Sequence, residues 1–264
     1  MPDVDVVFDN AVAYERFMGA WSRSVGEKFL TWLAPPPNER WLEIGCGTGA
    51  FSALILARCA PSALIAVDPS AEQVEHARKL IAKADFRVAN ALSLPFGDAE
   101  FDVIASALVL HFLPDRRKAF AEMRRVAKSG AVVAGYTWNR TPAATFAPYA
   151  PMARAIKAIG IEPTLSPLVP EAAPDGLRES LETTGFHDID ITLIEATRTF
   201  ASFDEFWQIQ TLTFHPIGKT IATMSEDQKC KLRDAVRDIV PPGADGSISY
   251  SARAIAYRAR KLSA

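Results

Sequence analysis

Short, nearly unbroken apolar runs alternate with stretches of helical period through the first half of the chain. Trp41, Leu42 and Ile44 form one run and Ala63-Leu64-Ile65-Ala66-Val67 a second. A third occupies residues 103–110 and a fourth is Ala131-Val132-Val133-Ala134-Gly135-Tyr136. Continuous apolar runs of this length, bounded by turn residues, are what strands covered on both faces look like. Between them, residues 51–58 read as a helix. Val74, Ala77 and Ile81 share one helical face, as do Phe120 and Met123. Ser70 with Gln73 forms a capping box for one of these helices, and Asp115 is positioned to cap the next. Strand and helix in alternation predict an α/β domain built on a parallel sheet.

The pattern changes outside residues 38–139. Residues 9–33 read as two helical pieces, with Asp9 as an N-cap and Trp32 and Leu33 closing an apolar face. Ala34-Pro35-Pro36-Pro37 separates them from the first strand. Seven of the 18 prolines fall in residues 140–174, around a short helical stretch at 153–159. A helix then runs from Pro174 to Gly185, a strand follows at 189–194, and the last strand spans 247–257. Within 201–243, Ser202 with Glu205 and Ser225 with Gln228 mark two more helix starts. The chain reads as a single domain over 1–264, with a helical N-terminal lid at 1–37, a cofactor-binding core at 38–139, and cap insertions at 140–174 and 201–243.

The most telling local pattern is at 41–49. An apolar strand carrying Glu43 breaks into Gly45, Gly47 and Gly49, and a helix follows at once. Glycines let the backbone turn tightly and lie against a ligand, and the helix start offers unpaired N–H groups. Asp68 ends the second strand, where an acid can grip a ribose diol. Residue by residue, the loop is ambiguous: Gly45, Gly47 and Ala50 also satisfy the looser dinucleotide fingerprint. Glu43, and Gly49 arriving one residue early for that spacing, tilt the reading away from that fingerprint, while a ribose held by Asp68 is common to nicotinamide dinucleotides and S-adenosylmethionine.

Six segments together resemble the class I S-adenosylmethionine-dependent methyltransferases of small-molecule type. They are 43–49, Val67-Asp68-Pro69-Ser70, Ala91-Leu92-Ser93-Leu94-Pro95-Phe96, Phe101-Asp102-Val103-Ile104, Leu110-His111-Phe112-Leu113-Pro114-Asp115 and Glu122-Met123-Arg124-Arg125-Val126, lying within residues 41–138 in the family's order. The lead-in at 14–22 is similar as well, and a looser likeness points to the ubiquinone/menaquinone-methyltransferase subgroup without fixing a substrate. The resemblance implies a Rossmann-like fold, a seven-stranded mostly parallel sheet with an antiparallel C-terminal strand. It implies S-adenosyl-L-methionine as cofactor and S-adenosyl-L-homocysteine as product. Gly45, Cys46, Gly47 and Gly49 would then lie against the methionine part and ribose, with Glu43 near the amino group and Asp68 on the ribose hydroxyls. Pro69, Asn90 and Ala91 would border the adenine, and Ser106 the end of the fourth strand. Tyr14, Met18 and Trp21 share a helical face and, by the resemblance, close over the cofactor. Two positions depart from the family pattern: Asn90 where an Asp is usual, and Ser129-Gly130-Ala131 where Pro-Gly-Gly is usual.

His111, following the fourth strand, is the candidate general base, against the alternative of a histidine packed over the cofactor. His215 faces either an acceptor or, as a loop residue, solvent. His76 and His187 read as surface residues. Trp138, Phe146, Tyr149, Phe203, Phe206, Trp207 and Phe214 line an acceptor pocket or form the insertions' own aromatic cores.

Composition narrows the partners. Net charge is −2, from 29 basic and 31 acidic residues, so nothing points to nucleic acid or to anionic lipid. No Asn-Pro-Pro-aromatic motif follows the fourth strand; Ser106-Ala107-Leu108-Val109-Leu110-His111 stands there. There is no 18-residue apolar run and no signal-peptide pattern, so the expectation is a cytoplasmic protein away from membranes. Cys46, Cys59 and Cys230 show no metal-ligand spacing and are read as reduced thiols, Cys46 as a small residue in a tight turn. The acceptor is a small molecule, and oligomeric state leaves no trace. Two rival functions share the glycine loop: a nicotinamide-dependent oxidoreductase, for which no Tyr-x-x-x-Lys relay is present, and a non-catalytic cofactor-binding or regulatory subunit.

Overall fold

The computed structural model describes residues 15–141, 147–165, 169–213 and 215–262. Strands β1 (Arg40–Ile44), β2 (Ala63–Asp68), β3 (Asp85–Val88), β4 (Phe101–Ala107), β5 (Ala127–Trp138), β6 (Phe186–Phe200) and β7 (Ile248–Lys261) form one sheet in the order β3-β2-β1-β4-β5-β7-β6. The ladders from β3 to β5 are parallel, and β7 runs antiparallel to β5. The expected α/β class and the antiparallel C-terminal strand are both present. β1 sits where the strand order reverses, since β2 and β4 flank it on opposite sides. The carboxyl ends of strands around such a switch point are where this architecture holds ligands.

The helices follow from the local signals. α1 (Ala20–Leu33) continues a single π-helical turn at Glu15–Gly19. The expected break between two helical pieces is absent among the described residues, and Asp9 lies outside them. α2 (Ala50–Arg58) packs on β2, and α3 (Ala71–Leu80) packs on β2 and β3. α3 starts where Ser70 Oγ accepts from Gln73 N, and α4 (Arg116–Val126) where Asp115 accepts from Lys118 N. α5 (Ala150–Ala158), α6 (Pro174–Thr183), α7 (Phe203–Gln210), α8 (Pro216–Ala222) and α9 (Glu226–Ile239) complete the chain. Ser202 caps α7 and Ser225 with Gln228 closes a reciprocal box on α9, as their spacing predicts.

Several expected bounds shift. β4 stops at Ala107 rather than continuing to 110, because Leu108 takes φ 60°. β6 and β7 extend beyond 189–194 and 247–257, held by the adjacent ladder rather than by their own alternation. Gly130 takes φ 76° inside β5, where the β4–β5 register jumps from Phe101–Ala127 to Val103–Val132. That is a bulge, which bends a strand without ending its pairing.

The chain divides into two compact units. One comprises residues 22–139, 169–194 and 254–264 and holds β1–β5 with α2, α3, α4 and α6. Its core includes Leu42, Ile65, Ile104, Phe120, Val133, Leu177 and Tyr257. The other comprises 1–21, 140–168 and 195–253, and so gathers most of both insertions. β6 and β7 contribute residues to each. No helix among the described residues is long and apolar enough to cross a membrane.

Candidate functional site

The site is assembled at the carboxyl ends of β1, β2, β3 and β4. Gly45 N and Cys46 N both donate to Val67 O, at 2.7 and 3.0 Å, so the loop after β1 is tied to the end of β2. Gly45 takes φ 73° and Gly49 φ 87°. A Cβ at Gly45 would lie 2.3 Å from Val109 Cγ2, and one at Gly49 2.7 Å from Ile81 Cδ1. Both positions therefore require glycine for conformation and for space. Gly49 is the N-cap of α2 and provides no side-chain cap, which leaves first-turn N–H groups of that helix open to a ligand.

Two carboxylates flank the loop. Glu43 is completely buried, and Ser52 on α2 donates its hydroxyl to Glu43 Oε2. Glu43 Oε1 is equally buried and has no hydrogen-bond partner among the described residues. Burial pushes the Glu43 carboxyl up to about 7, with the Ser52 bond opposing and the nearby Asp68 charge adding to the rise. An unmatched buried carboxylate oxygen is costly unless something supplies a donor. Asp68 accepts from Gly47 N at 3.0 Å on Oδ2 and from Ser70 N at 2.9 Å on Oδ1. A carboxylate offers about four acceptor positions, so each oxygen keeps one for a ligand. Burial raises the Asp68 carboxyl, against the pull of those two N–H groups.

Pro69 is exposed at the end of β2. Ala89 N donates to Asp68 O at 3.1 Å, which brings the chain after β3, with exposed Asn90 and buried Ala91, beside it. Asn90 Oδ1 already accepts from Leu92 N at 2.9 Å. Cys46 is buried, and burial with two neighbouring carboxylates pushes its thiol far up, so it is a poor nucleophile. Ser106 is buried within the sheet, its hydroxyl 2.9 Å from Tyr257 Oη.

His111 lies on the 3₁₀ turn Leu110–Phe112 that follows β4, half-buried, its ring centroid 3.9 Å from that of Phe112. Val109, one residue before this turn, is the side chain that occupies the space beside Gly45. Sequence reasoning missed Val109, because only the fold brings it to the loop, and missed Ser52, because no local signal links it to Glu43.

Other expected positions fall in the second unit. Tyr14, Phe146 and Phe214 lie outside the described residues. Met18 and Trp21 are buried, and the Trp21 ring packs 5.2 Å from Tyr250. His215 is not a surface loop residue. It is buried, and its Nδ1 accepts from Gly218 N at 3.2 Å as the N-cap of α8. Phe203 and Phe206 are buried, and Phe206 meets Phe200 at 5.2 Å and Tyr250 at 5.9 Å. This is the aromatic core of the insertions. His76 and His187 are exposed, as expected.

Comparison with known proteins agrees with this geometry. The "Methyltransferase domain" family model matches residues 42–135. A demethylmenaquinone methyltransferase of Roseiflexus castenholzii is 33% identical over 175 residues, covering 61% of this chain and 73% of that one. A malonyl-[acyl-carrier protein] O-methyltransferase of Herminiimonas arsenicoxydans is 34% identical over 137 residues, 49% of this chain and 51% of its own. The solved structure of Haemonchus contortus phosphoethanolamine N-methyltransferase 2 with S-adenosyl-L-methionine superposes with a TM-score of 0.56 at 16% identity, covering 96% of this chain and 56% of that one. The cofactor is thus S-adenosylmethionine rather than a nicotinamide dinucleotide, and the acceptor is a small molecule. The chain belongs to the class I S-adenosylmethionine-dependent methyltransferases.

Proposed function

We propose that this methyltransferase acts on a small organic acceptor of the kind its sequence relatives are named for, with a quinol-type ring as the first candidate. When bound, S-adenosylmethionine supplies a methyl group on a sulfonium, open to in-line displacement. The chain's own residues do the rest. Glu43 Oε1 receives the cofactor's ammonium, Asp68 the ribose hydroxyls, and Gly45, Cys46, Gly47 and Gly49 lay a bare backbone against the chain between them. Pro69, Asn90 and Ala91 border the adenine. His111 takes the proton from an acceptor hydroxyl or activated carbon when that proton must leave early. Alignment of two bound reactants is worth roughly 7–11 kcal/mol of barrier, so placement carries most of the rate.

The observation that carries this reading is the buried Glu43 oxygen without a donor, one strand from an Asp68 whose oxygens each keep an open position. The Roseiflexus relative, matched over 73% of its length, supports the quinol-type acceptor. The test is an end-point assay by mass spectrometry. The protein is incubated with S-adenosylmethionine and, separately, demethylmenaquinol analogues, other phenolic rings and malonyl thioesters. A 14-dalton gain on a quinol ring, lost in Asp68→Ala, is the expected result. Methylation of the thioester alone would overturn the acceptor assignment.

A further inference from the structure

The turn that carries His111 is held from a distance. Arg116, in the first turn of α4, donates from Nε to Leu110 O at 2.9 Å. The same nitrogen lies 3.5 Å from Glu171 Oε2, with both side chains largely shielded, 15% and 7% exposed. Glu171 sits on the 3₁₀ turn Pro170–Ala172 and accepts from Ser180 Oγ of α6 at 2.8 Å. That turn is itself locked against α6, because a Cβ at Gly176 would fall 2.2 Å from Pro170 O. On the other side, Leu108 is a bulky residue at φ 60°, a backbone state that persists only where its surroundings enforce it. Val109, next in the chain, fills the space over Gly45.

We propose that Glu171 and Arg116 are positioning residues for the reaction. Their shielded ion pair sets the place of the 109–112 segment, and through it both the packing of Val109 on the cofactor loop and the orientation of His111. A shielded pair is suited to this role. Removing one partner leaves the other charge unmatched in a poorly solvated position, so the arrangement has one well-defined geometry. No sequence motif announces the pair: 55 residues separate its members, and Glu171 lies outside the residues the family model matches.

The proposal rests on the cofactor site described above, and its test separates the two. The protein is labelled at its four histidines, and His111→Gln assigns the His111 resonances. In Glu171→Gln those resonances shift while those of His76, His187 and His215 stay in place. Affinity for S-adenosylhomocysteine falls about 3- to 30-fold, the range expected of coupling through a packed network. Arg116→Lys keeps the charge without the planar fork and gives a smaller change in both readouts, serving also if Glu171→Gln does not fold. Unchanged His111 resonances and affinity in both variants, with only a lower melting temperature, would overturn the proposal. A wild type that binds no S-adenosylhomocysteine would instead strike the cofactor assignment, while the resonance shift still decides the role of the pair.

Discussion

Glu43 and His215 are both buried ionisable side chains, one in each unit, and they are buried to different ends. His215 Nδ1 accepts the Gly218 N–H and so caps α8, a task that ends within its own unit. Glu43 is matched on one oxygen by Ser52 and left unmatched on the other. The His215 bond closes the start of a helix, whereas the buried Glu43 oxygen lies at the end of β1, two residues before the glycine loop. The contrast separates a capping histidine from a carboxylate proposed to face the cofactor, although sequence alone left His215 open as an acceptor-facing residue.

The largest effect expected is at the loop itself. Gly45→Val forces a β-branched residue into φ 73° and onto Val109. It should cost about 2–5 kcal/mol and abolish cofactor binding, read by denaturant melts and titration. Retention of wild-type stability and binding would show that Val109 does not hold the loop.

Next come two opposed pH dependences. The folded Glu43 carboxyl titrates near 7 against an unfolded value of 4.5, so the folded state holds this proton more tightly. Its contribution is complete below pH 4.5 and lost as pH rises through 7, a swing of about 3 kcal/mol. His215 is pushed down to about 4 from 6.5 by burial. Its neutral ring favours folding above pH 6.5, and about 3 kcal/mol is lost as pH falls toward 4. In the wild type the two slopes offset each other between pH 4.5 and 6.5. Glu43→Gln should unmask a stability that rises with pH in that window. His215→Asn keeps a cap, since Asn is a good N-cap residue, and should unmask the reverse slope. Equal slopes in both variants would erase the contrast.

The smallest effect is at Ser225, half of the capping box on α9. Ser225→Ala should cost about 1 kcal/mol and leave cofactor affinity unchanged, marking a residue that serves the fold alone.

The two regions differed as much in legibility as in chemistry. The positions of Glu43, the glycines and Asp68 could be read from sequence because strand, turn and helix follow one another directly. The caps Ser70, Asp115, Ser202 and Ser225 were legible for the same reason. What sequence could not show is set by distant segments. β6 and β7 run longer than their alternation suggests because a neighbouring strand completes their hydrogen bonds. His215 became a buried cap because Pro216 starts a helix in place of a loop. Ser106 faces Tyr257, 151 residues away, and Glu171 meets Arg116 through two turns with no pattern of their own.

The most direct measurement is calorimetric titration with S-adenosylhomocysteine near pH 6.5, in two buffers of different ionisation enthalpy, on wild type, Asp68→Ala and Glu43→Gln. The account expects micromolar binding, with proton release from Glu43 as the ligand's ammonium lowers its carboxyl. It expects roughly 10- to 100-fold weaker binding in Asp68→Ala, the worth of lost bonds to a charged group. It expects no proton release in Glu43→Gln. Tight binding with no proton release in the wild type, or affinity indifferent to both substitutions, would contradict the claim that these two carboxylates hold the cofactor.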